Sequence, residues 1–450
     1  MVPTLRFDRG TLRLDFLPRD HGLDHVIWDG RTDCWRAPAL RYRALLEAFR
    51  NAKLPLRDEL RARLVDPVGP WQRPSLRTYQ EDALQSWIAH RRQGVVVLPT
   101  GAGKTRVALA AMAEVAKPCV VLCPTRALIA QWVEQIRAWY GGPVGVVGDG
   151  EHSVAPVTVM TFASAYTKMD SLGDRFCLVV ADEAHHFGGS RPEALEMCTA
   201  PYRLGLTATA PRAGTPAAAN LESLIGPVVC RVGLDQLVGT HLAHLDIMQR
   251  SVRLDDDELE AYHTLEAPFA ELLRSYFQVN PRADFQSMVR ALAQTPAGRR
   301  ALSDHHKASA IASFPREKRV LVRSLLAAHR HAKTLVFTAL ADDAYTVAAD
   351  NLIPVITAEI GRAERSEILR AFREGRVRAI VSARVLNEGL DVPDASVGIV
   401  VAGTQGMREH VQRVGRVLRP SPGKRAIVYE LITIGTMDHA RAESRRAHAA

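Results

Sequence analysis

The run VVVLPTGAGKTRVALAAMAEV, residues 95–115, restricts the fold more than any other part of the chain. A buried strand, a glycine-containing turn and a helix in that order aim successive backbone N–H groups at a phosphate, and such a strand needs a parallel sheet covered on both faces. Gly101 and Gly103 permit the tight turn around Thr100 and Ala102, Lys104 can neutralise the β and γ phosphates, and the Thr105 hydroxyl can ligate Mg²⁺. The strict phosphate-loop spacing asks for glycine at position 98, where this chain has Leu98.

A second run, FCLVVADEAHHFGG, puts Asp182 and Glu183 at the end of an apolar strand, where ligands of open α/β sheets gather. Asp182 is expected to hold Mg²⁺ through waters, and Glu183 to orient and deprotonate an attacking water. His185 is placed to relay nucleotide state, whereas His186 reads equally well as a surface residue. Together these residues imply ATP and Mg²⁺ as the cofactors.

The rest of the chain divides by pattern. Residues 1–68 hold alternating strands and one amphipathic helix, and are expected to form a small α+β domain. The stretch VDPVGPWQRPS carries three prolines and reads as a linker. Residues 69–237 alternate apolar β-rich runs with helical ones, predicting an α/β lobe. Strand pattern is expected to stop between about Gln249 and Phe314, giving a helical insertion within residues 238–314. Residues 315–450 return to the alternation, with DHARAESRRAHAA read as a solvated helix end.

With 450 residues and 47% hydrophobic content, several cores can be filled. A formal charge of +9 suits polyanionic partners without requiring nucleic acid. Of the six cysteines only Cys119 and Cys123 lie close together, which offers no second pair for a zinc site. The first ten residues are too charged for a signal peptide, and no apolar stretch would span a bilayer, so a cytoplasmic monomer free of membrane is expected.

The ordered motifs from Leu76 to Pro420 resemble the superfamily 2 helicases of the DEAH-containing kind, most of all the XPB type, and TGAGKT is the short phosphate-loop form those helicases carry. The resemblance implies two tandem RecA-like lobes, ATP hydrolysis between them, and DNA as the partner: duplex, forked or branched. LRTYQ, with Arg77 and Gln80, is similar to the adenine-reading segment. CPTRALIAQW (Pro124, Thr125, Arg126, Gln131) and TFAS (Thr161, Phe162) are similar to segments touching the nucleic-acid backbone, and TAT (Thr207, Thr209) to the coupling hinge. In the second lobe SARVLNEGLDVP and QRVGRVLRP are similar to the fifth and sixth motifs. There Gly389 and Asp391 would sense the ribose, Gln412 would contact nucleotide, and Arg416 and Arg419 would act as arginine fingers. The first 68 residues resemble the family's sensor of distorted duplex, and the 249–314 helices stand where it has a thumb-like insertion. The family's Arg-Glu-Asp is replaced by Arg212-Ala213-Gly214. Three readings are open: a DNA helicase or translocase of repair; an RNA remodeller, because the same two lobes serve both polymers; and, in view of that replacement, an ATP-gated clamp that positions a nuclease or other repair partner.

Overall fold

The computed structural model describes residues 2–18, 21–61, 66–99, 101–148, 150–189, 193–233, 244–281, 283–383, 395–402 and 425–447. The chain forms two compact units, Met1–Leu237 and Val238–Ala450.

The first unit opens with a five-stranded sheet: β1 (Thr4–Asp8), β2 (Thr11–Asp15), β3 (Ile27–Asp29), β4 (Cys34–Pro38) and β5 (Arg57–Asp58), in the order β3-β4-β2-β1-β5. Helix α1 (Tyr42–Asn51) lays Tyr42, Leu45 and Phe49 on that sheet, a three-and-four spacing that keeps all three on one face. The Tyr42 hydroxyl donates to Asp58 Oδ2 at 2.6 Å, fastening the helix to β5. This sheet shares its core with the larger sheet of the same unit, because Cys177 and Tyr202 pack among Leu5, Leu12 and Leu14. Polar contacts reinforce the seam: Arg43 donates to the carbonyls of Arg91 and Pro201 at 2.8 and 3.3 Å, and Glu47 pairs with Arg91. At the β1–β2 turn a Cβ on Gly10 would meet Met197 Cγ at 2.5 Å.

The larger sheet holds β6 (Gln93–Val97), β7 (Cys119–Cys123), β8 (Val144–Gly148), β9 (Glu151–Ser153), β10 (Val157–Thr161), β11 (Leu178–Asp182), β12 (Tyr202–Thr207) and β13 (Val228–Arg231). Their order is β13-β6-β12-β11-β7-β10-β8-β9, and every pairing but β8 with β9 is parallel. Strands β7, β10 and β11 are buried at every residue, as a sheet covered on both faces demands. The helices are α2 (Thr78–Ala89), α3 (Lys104–Val115), α4 (Arg126–Arg137), α5 (Phe162–Leu172), α6 (Glu193–Glu196) and α7 (Pro216–Leu224). The proline-rich stretch before α2 is pinned to this lobe: the Trp71 ring stacks on Tyr140, and Gln72 N–H donates to Trp139 O at 2.8 Å.

In the second unit a six-stranded parallel sheet runs β14 (His244–Val252), β19 (Arg425–Thr433), β18 (Val397–Val400), β15 (Thr334–Thr338), β17 (Ala379–Ala383), β16 (Val355–Ile356). Strand β14 extends past Gln249 to Val252 and pairs with β19 over nine residues. Sequence patterning misses its end because Gln249, Arg250 and Ser251 are exposed on an edge strand and lack apolar alternation. Three helices come next, α8 (Asp256–Val279), α9 (Phe285–Ala293) and α10 (Pro296–Ser313). They pack on Tyr262, Phe269, Met288 and Leu292, with Asp255 and Glu258 closing a capping box at the start of α8. The sheet is covered by α11 (Arg316–Ala328), α12 (Ala341–Asn351), α13 (Arg362–Arg373) and α14 (Met437–Ala447). Helix α14 differs from the solvated tail expected of its composition. Its first turn is anchored by Asp438, 4% exposed, whose Oδ2 accepts from the fully buried Lys318 at 2.8 Å and from Thr433 N–H at 3.0 Å. Among the described residues no helix is long and apolar enough to cross a membrane, and the six cysteines form no disulfide.

Candidate active site

Strand order assembles the first-lobe motifs. Neighbours β6, β12, β11, β7 and β10 all run parallel, so the residues leaving their C-terminal ends stand in a row along one edge of the sheet. Leu98 follows β6, Thr207 closes β12, Asp182 closes β11, Pro124 follows β7 and Thr161 closes β10.

At the phosphate loop Gly101 and Gly103 adopt φ of +83° and +80°, a conformation glycine takes without strain. A Cβ on Gly103 would press into the Gln80 side-chain amide, which is 2% exposed. Gln80 Nε2 donates to Ala102 O at 2.7 Å and its Oε1 accepts from Arg77 N–H at 3.0 Å, while Tyr79 Oη donates to the same Ala102 carbonyl at 2.9 Å. The Gln80 amide proposed for the adenine edge braces the loop and the start of α2 in this structure. Lys104 Nζ reaches back to Leu98 O at 3.4 Å, and Thr105 sits one residue inside α3. Thr100 lies outside the described residues.

Asp182 is 9% exposed, with Oδ2 accepting from Trp132 Nε1 at 2.9 Å and Oδ1 from Glu183 N–H at 3.0 Å. Burial, then the neighbouring Glu183 carboxylate, push the Asp182 carboxyl up to about 6, against the pull of Lys104 and the Trp132 bond. Trp132 is the functional side chain that sequence patterning passes over. On the apolar face of an amphipathic helix it reads as core, and only the approach of α4 to β11 reveals its donor.

Glu183 sits at φ +49°, in the left-handed region, which turns the chain sharply off the strand. Its Oε2 is buried and has no hydrogen-bond partner, standing 3.6 Å from His185 Nδ1. His185 Nδ1 lies 3.0 Å from Thr207 Oγ1; Thr207 Oγ1 donates to Thr209 O at 2.8 Å, and Leu98 N–H donates to Thr207 O at 3.0 Å. Bonded contacts therefore link the phosphate loop to the TAT turn and on to the DEAH segment. These residues fit a nucleotide with Mg²⁺: a carboxylate with spare lone pairs and a second carboxylate oxygen left unpaired face the end of a loop built for phosphate.

The residues proposed for nucleic acid emerge beside one another, since Cys123 and Thr161 are register partners. Thr125 Oγ1 is buried without a hydrogen-bond partner and Arg126 is exposed. Thr161 Oγ1 instead caps α5, accepting from Ser164 N–H at 3.1 Å, and Phe162 packs edge-on against Phe187. Gly389, Asp391, Gln412, Arg416 and Arg419 lie outside the described residues.

Three sequence families match along the chain. The "Xeroderma pigmentosum group B helicase damage recognition domain" matches residues 5–60, the "Type III restriction enzyme, res subunit" residues 73–212, and the "Helicase conserved C-terminal domain" residues 317–421. The DNA 3'-5' translocase XPB2 of Sulfurisphaera tokodaii is 34% identical over 93% of this chain and 95% of its own length. A putative DNA 3'-5' helicase Rad25 of Halobacterium salinarum is 28% identical over 93% of this chain, which spans 64% of that longer protein. In fold, the chain is similar to the Pyrococcus furiosus Hef helicase domain, with a TM-score of 0.51 at 21% identity over 82% of this chain and 98% of that one.

Proposed function

The chain belongs to the XPB family of superfamily 2 ATP-dependent DNA helicases and translocases, and on that premise we propose that it moves 3'-to-5' on duplex or forked DNA in repair, driven by hydrolysis at Lys104, Asp182 and Glu183. The observation that carries this reading is the bonded path from Gln80 and the phosphate loop through Leu98 and Thr207 to His185, whose Nδ1 stands 3.6 Å from the unpaired Glu183 Oε2.

Bound together, ATP and Mg²⁺ supply the transferable phosphoryl group and the dication that offsets its charge. The N–H groups of residues 101–105 cradle the phosphates at the start of α3, and Lys104 exchanges its Leu98 carbonyl for phosphate oxygen. Asp182, kept in place by Trp132, and Thr105 would hold the cation, Asp182 through waters. Glu183 Oε2 takes the proton of the attacking water, with His185 fixing its orientation through Thr207. From motif order, Arg416 and Arg419 are assigned as the fingers that complete the site, and Gly389, Asp391 and Gln412 as nucleotide-facing groups. Residues 1–68 are assigned to sensing distorted duplex, 69–237 and 315–450 to the two motor lobes, and 238–314 to a thumb-like bridge.

Steady-state hydrolysis tests this directly. Lys104→Ala and Glu183→Gln should each abolish ATPase activity, the second while sparing ATP binding, and duplex or forked DNA should stimulate the parent protein. Full activity in either variant, or stimulation by structured RNA alone, would overturn the assignment. Arg212-Ala213-Gly214 in place of Arg-Glu-Asp supports a second reading, an ATP-gated clamp acting as a monomer beside a separate nuclease. DNA-stimulated hydrolysis without separation of a forked duplex would favour it.

A further inference from the structure

A groove of about 580 Å³ opens in the second unit where α11, the end of α12 and the first residues of β15 and β17 meet. It lies at the strand ends opposite those that lead into the fifth and sixth motifs. Strands of five residues put roughly 13–16 Å between the two edges. Its floor is apolar, formed by Leu326, Ile353, Pro354 and Val377, and Leu352 stands at its rim 92% exposed, at φ +52°.

The rim is cationic. Arg323, Arg330, Arg376 and Arg378 line it against one carboxylate, Asp350, which Arg319 already engages and holds below its ordinary range. Arg376 is answered by Glu367 and Glu374. Arg323 shares the field of Asp350 with Arg319, and Arg330 and Arg378 have no carboxylate partner among the described residues; Arg330 donates to His331 Nε2 at 3.0 Å and Arg378 to His331 O at 2.9 Å. The same exposed face of α11 carries Arg316, paired with Asp255, Arg319, paired with Asp350, and a 64% exposed Val320.

We propose that this groove docks an acidic, leucine-bearing segment of a partner protein. Charge complementarity selects the acidic character, since an anionic segment would answer guanidinium groups that the fold leaves without carboxylates. The apolar floor and the projecting Leu352 select a side chain to bury, which a phosphate backbone does not offer. The inference is independent of the ATPase assignment, because no groove residue belongs to a motor motif.

The test uses the full chain and a fluorescein-labelled peptide of repeating Glu-Asp-Leu-Leu, with an equally long polyglutamate and a duplex DNA as comparisons, read by anisotropy. The leucine-bearing peptide should bind at least ~5-fold more tightly than polyglutamate. Arg323→Glu combined with Arg378→Glu should weaken it by ~10-fold or more, since reversing exposed interface charges penalises encounter and complex alike. Leu352→Ala should weaken it a few-fold, and DNA-stimulated ATPase should be unchanged in both variants. Equal binding of polyglutamate, undiminished binding by the double variant, or a loss confined to duplex DNA would each overturn the proposal.

Discussion

At the scale of single residues, the carboxylates carry the sharpest consequences. Asp182 must be ionised to hold a cation, yet burial places its titration near 6 before nucleotide arrives. The acid limb of kcat/KM, which reports groups of the free enzyme, should therefore fall near pH 6 instead of near pH 4. Trp132→Phe removes a bond that favours the ionised form, so it should move that limb to higher pH; a pH–rate profile of both proteins checks the sign. Asp343 is a structural counterpart, its carboxyl raised to about 6 chiefly by burial, with Ser313 Oγ donating to it at 3.0 Å. Because the folded form binds its proton more tightly than the unfolded chain, the penalty is full above about pH 6 and fades as pH falls toward the ordinary carboxylate value near 4. Asp343→Asn should stabilise the second unit at pH 7 by about 1–3 kcal/mol and lose that advantage at acid pH, as denaturant titrations at both pH values would measure.

Elements show where sequence reading succeeds and stops. Strands such as β7 and β11 are legible because a doubly covered parallel strand is an unbroken apolar run, and the loop between β6 and α3 because phosphate geometry demands glycine. The role of Trp132 is hidden because a helix face says nothing about which strand end it will meet. The Lys318 hub is hidden for the same reason: its ammonium donates to Ser313 O at 3.2 Å, Val401 O at 2.6 Å and Asp438 at 2.8 Å, joining α10, the residue after β18 and α14 to α11. In sequence it is one more basic residue in a charged helix. Lys318→Met should cost the second unit about 3–5 kcal/mol by leaving Asp438 buried and unpaired, seen as a lowered thermal midpoint.

For the whole molecule, the division into two compact units places the first sheet with the nucleotide lobe and the three-helix bundle with the second unit's sheet. The seam inside the first unit is apolar as well as polar, with Cys177, 6% exposed, and Tyr202 set into the first sheet's core. A chain trimmed to begin at Pro70 should expose that surface and lose solubility, which sedimentation after expression would reveal; a stable, monodisperse product would show the seam to be dispensable. The same interlock sets the rules for recombination between relatives. A foreign first sheet grafted onto this lobe must present a glycine opposite Met197, an apolar socket for Cys177 and Tyr202, and an acid for Arg91. The first sixty residues are therefore inherited as half of a matched pair, and the partners of that match are scattered downstream from Arg91 to Tyr202.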